Sequence, residues 1–227
     1  MKKRNRKDWK LFQKWANSKY PTVHLRRFAK RRIKRFPELA RMIDAPQRME
    51  NHPEGDVWKH TLFVVYRTRI ACDELCIYGE LRTILMIAAL LHDIDKPSLT
   101  TVESDGKVKV GRGHGKVGAK MARVFLNKIY APRHIINAVC TLVRLHMFHS
   151  LNETSVSWML GKLDDVGLSI EDWLIIANAD YNSSGGRHLN PGVNFSDTQQ
   201  AILAIADSLE TNAIEQLPLF SCVGSTP

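Results

Sequence analysis

The residues most able to do chemistry are His92 and Asp93, which close the apolar run Ile84 to Leu91 inside LLHDIDKP. An imidazole beside a carboxylate at the end of so apolar a helix is costly to bury unless something holds both. A divalent metal is the usual holder. Three further segments carry ionisable residues on apolar stripes. His60 shares a face with Val57, Val64, Ala71 and Leu75; His146 and His149 continue Ile135, Val139 and Leu142; Asp180 follows Trp173, Ile176 and Ala177. Helical spacing turns each of these side chains toward a common core. A lone inward histidine is more often a hydrogen-bonded core residue, but a buried carboxylate needs a partner. Together His60, His92, Asp93, His146 and Asp180 offer the nitrogen and oxygen ligands that suit Mn, Fe, Co, Ni, Zn or Mg. His114, in GRGHGKVGAK, opens a helix after a glycine-rich turn and could join them.

A metal in such a site would lower the pKa of a water and supply hydroxide near neutral pH. Asp93 could bridge two ions and orient the water. Lys96 could stabilise the developing negative charge; equally, it is a cation suited to a helix C-terminus. Glu54 and Asp56 could shuttle a proton or bind sugar hydroxyls, and Asp56 could instead cap the helix that starts near Val57. Arg112 and Arg187 lie in loops where a phosphate clamp could form, and surface exposure accounts for them as well. Other nucleophile schemes fail: there is no GxSxG elbow, and GRGHGKVG lacks the spacing of a P-loop.

The elements that must position these groups are helices. The patterning predicts helices over 8–18, 23–35, 37–43, 56–77, 80–93, 114–130, 132–149, 152–163, 170–181 and 197–214, with capping boxes at Ser169/Asp172 and Ser196/Gln199. TVESDGKVKV (101–110) is the one strand-like stretch and predicts a small hairpin turning at Asp105-Gly106. The fold class is therefore all-α with that hairpin as an insert. GGRHLNPG (185–192) reads as a loop and LPLFSCVGSTP as a partly ordered tail.

Charge is unevenly spread along the 227 residues. Residues 1–36 hold 15 Lys/Arg and one acid, while the rest holds 18 Lys/Arg against 22 Asp/Glu. The basic arm is expected to meet a polyanion such as RNA or DNA phosphates, unless it is simply a solvated amphipathic helix. Its apolar positions are Trp9, Phe12 and Ala16, then Leu25, Phe28, Ile33 and Phe36. They repeat with helical period and are expected to dock on the body rather than stack on bases. Cys72, Cys76, Cys140 and Cys222 form no CxxC pair, and Cys72 and Cys76 read as core packing in a reducing cytosol. No apolar run spans a bilayer and no secretory h-region follows the N-terminus, so the expected location is cytoplasmic.

The order H…HD…H…H…D resembles the HD-domain metal-dependent phosphohydrolases, an all-α superfamily. FPELARMIDAPQ with HPEGDVWKHT (Phe36 to Thr61), then LLHDIDKP, GHGKVGAK, LVRLHMFH and ADYN…GGR, look like the HD domain of bacterial tRNA nucleotidyltransferases (CCA-adding enzymes). The resemblance covers roughly residues 36–188. It implies that His60, His92, Asp93 and Asp180 bind a first divalent metal, and that His114 and His146 match positions that hold a second one in dinuclear members. Here only short basic helices precede residue 36, with no strand-rich nucleotidyltransferase head, so the chain looks like a free-standing HD module and CCA addition is not expected.

The expected organisation is a basic helical arm (1–35), an HD phosphohydrolase domain (36–195) and a C-terminal helix and tail (196–227). The expected function is metal-dependent hydrolysis of phosphoesters of nucleotides or RNA ends, of the 2′,3′-cyclic phosphodiesterase, nucleotidase or phosphatase type. Asp93 and Lys96 are the catalytic candidates, and Glu54, Asp56, Arg112, His149 and Arg187 the substrate-binding ones. Two other readings share these residues. One is a dNTP, dNMP or cyclic-oligonucleotide hydrolase of nucleotide-pool or signalling control; the other is a non-catalytic RNA-binding module.

Overall fold

From Ile84 on, helix α5 (Gly79–Leu91) is apolar on every face, and each of its residues from Arg82 to Leu91 is buried. A helix with no polar face has to be surrounded, and the computed structural model puts it at the centre of a helical bundle. The structure describes residues 2–31, 33–111, 113–184 and 195–215. Around α5 pack α4 (Val57–Glu74), α8 (Arg133–Leu145) and α10 (Ile170–Ser183), while α7 (His114–Lys128) pairs with α8. The outer elements are α1 (Lys2–Ala16), α2 (Pro21–Arg31), the short α3 (Pro37–Ala40) and α6 (Lys96–Leu99), α9 (Glu153–Asp164) and α11 (Phe195–Glu215). The fold is all-α, as expected.

Helix starts follow the local chemistry. Asp56 accepts a hydrogen bond from the Lys59 N–H at 2.8 Å and caps α4, and Ser169 with Asp172 forms a full capping box on α10. The Ser196 side chain of the other expected box lies outside the described residues. The expected helix over 56–77 also stops early. Ile77 N–H donates to Cys72 O and Cys76 N–H to Asp73 O, which closes α4 with Cys76 in left-handed backbone at φ 53°. Leu75 is therefore 61% exposed and Cys76 lies on the surface, so neither packs in the core as its spacing predicted. Cys72 does.

The hairpin forms where the sequence indicated. β1 (Thr100–Val102) pairs antiparallel with β2 (Val108–Val110), and Gly106 supplies the positive φ of the turn. Arg48 donates to Val108 O at 2.9 Å, tying the hairpin to the loop that precedes α4.

The predicted helix 23–35 divides into α2 and a 3-10 turn at Ile33–Arg35. The division lets Leu25, Ile33 and Phe36 all bury, with Phe28 partly covered. Phe12 lies edge-on to Phe36 at 5.3 Å and to Phe125 of α7 at 5.5 Å between centroids, so the arm shares the bundle's hydrophobic core. Arg82, buried in α5, donates to Ala16 O at the end of α1 and pairs with Asp73 at 2.6 Å. Lys7, Lys10, Lys14, Arg26, Arg27, Lys30 and Arg31 remain on the exposed face. No helix among the described residues is long and apolar enough to cross a membrane.

Candidate metal centre

The ligand candidates sit at helix ends gathered at one end of the bundle. His60 lies in the first turn of α4, His92 caps the C-terminus of α5 with Asp93 beside it, His114 is the first residue of α7, His146 caps the C-terminus of α8, and Asp180 lies near the end of α10. Close backbone packing brings two of them together. A Cβ on Gly115 would lie 2.6 Å from Arg144 O, so only glycine permits α7 to approach α8 this closely. The His114 and His146 rings are consequently 5.0 Å apart. Trp173 of α10 donates to Leu145 O at 2.8 Å and pins the backbone that carries His146.

The donor atoms converge on Asp93. His60 Nε2 is 2.8 Å from Asp180 Oδ1 and 3.9 Å from Asp93 Oδ2, and His92 Nε2 is 3.2 Å from Asp93 Oδ2 and 3.7 Å from Asp180 Oδ1. On the other side, Asp93 Oδ1 is 2.8 Å from His114 Nε2 and 3.8 Å from His146 Nε2. Such separations suit atoms sharing ions bound at ~2.0–2.2 Å. His92 and His146 each donate Nδ1–H to the carbonyl three residues earlier, Ala89 O and Val143 O. This fixes the tautomer and leaves both Nε2 lone pairs facing the cluster.

Among the described residues, His92 Nε2, His146 Nε2, His114 Nδ1, Asp93 Oδ2 and both Asp95 oxygens are buried without a hydrogen bond. Lys96 Nζ and His114 Nδ1 do approach Asp93 Oδ2 and Asp95 Oδ1, at 2.6 and 2.7 Å, as ion pairs. So many orphaned lone pairs at one point would be expensive in an ordinary core. They fit a divalent cation. Two overlapping donor sets, His60/His92/Asp93 and Asp93/His114/His146, could each hold an ion, with Asp93 common to both.

Cations and carboxylates in the cluster hold one another ionised. Burial opposes ionisation of Asp93, but the His92 and Lys96 charges and the His114 hydrogen bond outweigh it and hold its carboxyl well below the usual range. Asp180 is likewise held low against burial, by its hydrogen bond from His60 and the charges of His92 and His60. Burial disfavours charge on His60, yet Asp180 and Glu54 raise it to about 9; His114 reaches about 9 through Asp93 and Asp95. His146 is pushed down to about 4, by burial first and then by the nearby His114.

The remaining expected residues fall in different places. Lys96 opens α6, not the end of α5, and bridges Asp93 and Gln47 Oε1, the latter at 2.9 Å. Glu54 accepts from His60 Nδ1 at 2.8 Å and from His52 Nδ1 at 2.9 Å. Burial would raise its carboxyl, but these two hydrogen bonds hold it at about 2. Asp56 is occupied as a helix cap. His149 is exposed, contrary to the inward orientation expected of it, because α8 ends at Leu145 and the helical spacing stops applying there. Arg112 and Arg187, and the expected 185–192 loop and C-terminal tail, lie outside the described residues.

Three residues beside the site escaped the sequence reading. Asp95, fully buried, pairs with His114; Gln47, nearly so, accepts from Lys96; His52 packs edge-on against His60, ring centroids 4.6 Å apart. Asp95 carried a usable signal, lying three residues after His92. Gln47 carried none.

An all-α bundle with a His/Asp metal cluster of this kind defines an HD domain. The HD domain family profile matches residues 57–212, and the chain belongs to that family, part of a superfamily of metal-dependent phosphohydrolases that bind divalent metals. The chain is also similar to a CC-adding tRNA nucleotidyltransferase of Thermus thermophilus, with 33% identity over 116 residues, 49% of this chain and 24% of that protein. It is 27% identical over 164 residues to a multifunctional CCA protein of Methylococcus capsulatus, 69% of this chain and 36% of that one. A multifunctional CCA protein of Actinobacillus pleuropneumoniae matches at 35% over 94 residues, 41% of this chain and 21% of its own length. The chain thus spans between 21% and 36% of the length of these relatives.

Proposed function

We propose that this chain hydrolyses a phosphoester of a nucleotide or an RNA end, as a 2′,3′-cyclic phosphodiesterase, nucleotidase or phosphatase. The observation that carries the reading is the convergence of His and Asp donor atoms on Asp93, His92 Nε2 and His146 Nε2 among them buried without a hydrogen bond, with the Lys96 ammonium against the same carboxylate. In it, His60, His92, Asp93 and Asp180 would hold one divalent metal, and Asp93, His114 and His146 could hold a second. Bound metal would let a water lose its proton near neutral pH, supplying the attacking hydroxide, and would offset charge on the phosphate oxygens. The attack forms one P–O bond from water and breaks another, and the leaving oxygen takes up a proton. Lys96 is placed to stabilise that oxygen as it departs. Glu54 holds His60 in orientation through Nδ1, so it acts as a positioning residue rather than a sugar ligand. The similarity to a tRNA nucleotidyltransferase of Thermus thermophilus supports a nucleotide or RNA substrate.

The test is a panel of 2′,3′-cyclic nucleotides, nucleoside monophosphates, dNTPs and cyclic oligonucleotides, assayed with Mn, Ni, Co or Mg. Turnover of a cyclic phosphate or monophosphate, abolished by Asp93→Ala, is expected. Preference for dNTPs or cyclic oligonucleotides would move the assignment to nucleotide-pool or signalling control. No metal-dependent turnover of any phosphoester, or turnover that survives Asp93→Ala, would sink it.

A further inference from the structure

Outside the metal centre, cations from three helices converge on one groove. Lys116, Lys120 and Arg123 of α7, Arg144 of α8 and Lys162 of α9 line it. Through Lys116 and Arg144 it continues into a second depression that includes His114, Phe148 and Trp158. Composition does not explain this concentration. From residue 37 onward the chain has 18 Lys/Arg against 22 Asp/Glu, yet five of those 18 share the groove. Among the described residues only Lys162 has a carboxylate partner there, Asp165.

A row of cations suits a strand of phosphates. Lys116, Lys120 and Arg123 follow each other at i, i+4 and i+7, which sets them on one face of α7 over about 10 Å. At the wider end, Trp158 is 40% exposed and the Arg144 guanidinium lies over its ring at 5.1 Å. An exposed indole beside unpaired cations is a stacking platform for an unpaired base, which a duplex would not offer. The groove runs to His114, whose Nε2 is 2.8 Å from Asp93 Oδ1.

We propose that this groove binds single-stranded nucleic acid and presents its terminal phosphoester to the metal centre. The chemistry at the end of the groove rests on the hydrolase reading above; the binding does not. Binding is measured by fluorescence anisotropy with a labelled single-stranded RNA of about a dozen nucleotides, the DNA of the same sequence, and the duplex of each. Lys120→Glu/Arg123→Glu is compared with Lys107→Glu/Lys109→Glu, which makes the same charge change on the hairpin.

The groove variant is expected to weaken single-strand binding at least ten-fold. It should also flatten the dependence of log Kd on log salt by about 1.4, two phosphate contacts at ~0.7 each. The hairpin variant is expected to change binding less than three-fold. Equal weakening by both variants, tighter binding of duplex than of single strand, or no effect of the groove variant would overturn the proposal. Wild-type protein that binds the strand yet hydrolyses no phosphoester would overturn the hydrolase reading alone.

Discussion

Glu54 touches the candidate metal centre through His60. Its carboxylate holds His60 by Nδ1, leaving Nε2 directed at Asp93 and Asp180. Loss of such a support typically costs 10–100-fold in metal affinity. Glu54→Ala should weaken Mn or Ni binding by about that factor in a calorimetric titration, with Glu54→Gln recovering part of it as a hydrogen-bond acceptor. Unchanged affinity in Glu54→Ala would mean His60 is held by packing alone. His60 and His114 also set a pH signature. Without a bound ion they titrate at about 9 in the fold, against the ordinary 6.5. Raised values stabilise the protein fully below pH 6.5, and that contribution is lost as pH rises through about 9. Metal binding displaces the same protons and so strengthens over that window. Chelator-treated protein should therefore lose melting temperature between pH 6.5 and 9, while the gain on adding metal grows. A pH trend identical with and without metal would contradict the assignment of these histidines as ligands.

At the scale of elements, the pairing of α7 with α8 matters most, because it brings His114 to His146. Gly115→Ala places a methyl against the Arg144 carbonyl, a backbone group that cannot swing aside. Overpacking of this kind typically costs 1–3 kcal/mol, and the separation of the two helices should also reduce metal loading at the His114/His146 side. Denaturant unfolding and metal titration together check this. Gly118 provides a milder comparison, since its added Cβ would meet Asp95 Oδ1 at 3.1 Å, a side-chain atom. Equal stability of wild type and Gly115→Ala would show that the helices can separate freely.

For the whole molecule, the basic N-terminal helices are structural as well as charged. Their aromatic face closes the bundle over α5 and α7, with Phe12 2% exposed between Phe36 and Phe125. Truncating a buried Phe costs about 3–5 kcal/mol, and Phe12→Ala is expected to destabilise the whole protein in a single thermal transition. A separate early transition, with the rest of the bundle unaffected, would instead make the arm an independent unit.

Much of this was legible in the sequence. The central helix announced itself as an unbroken apolar run, and the His and Asp candidates stood out because helical spacing placed costly groups inward. Local chemistry also set the hairpin turn at Gly106 and the caps at Asp56 and Ser169, since those interactions span only a few residues. What spacing could not settle was where each helix stops. Helical spacing carries Cys76 and His149 into helices that in fact end before them, because termination depends on carbonyls finding partners in the folded chain. Tertiary structure alone decided which distant side chains face each other. The Asp95–His114 pair, the Lys96–Gln47 contact and the groove running from α7 to Trp158 unite residues far apart along the chain, and only packing across helices sets those distances.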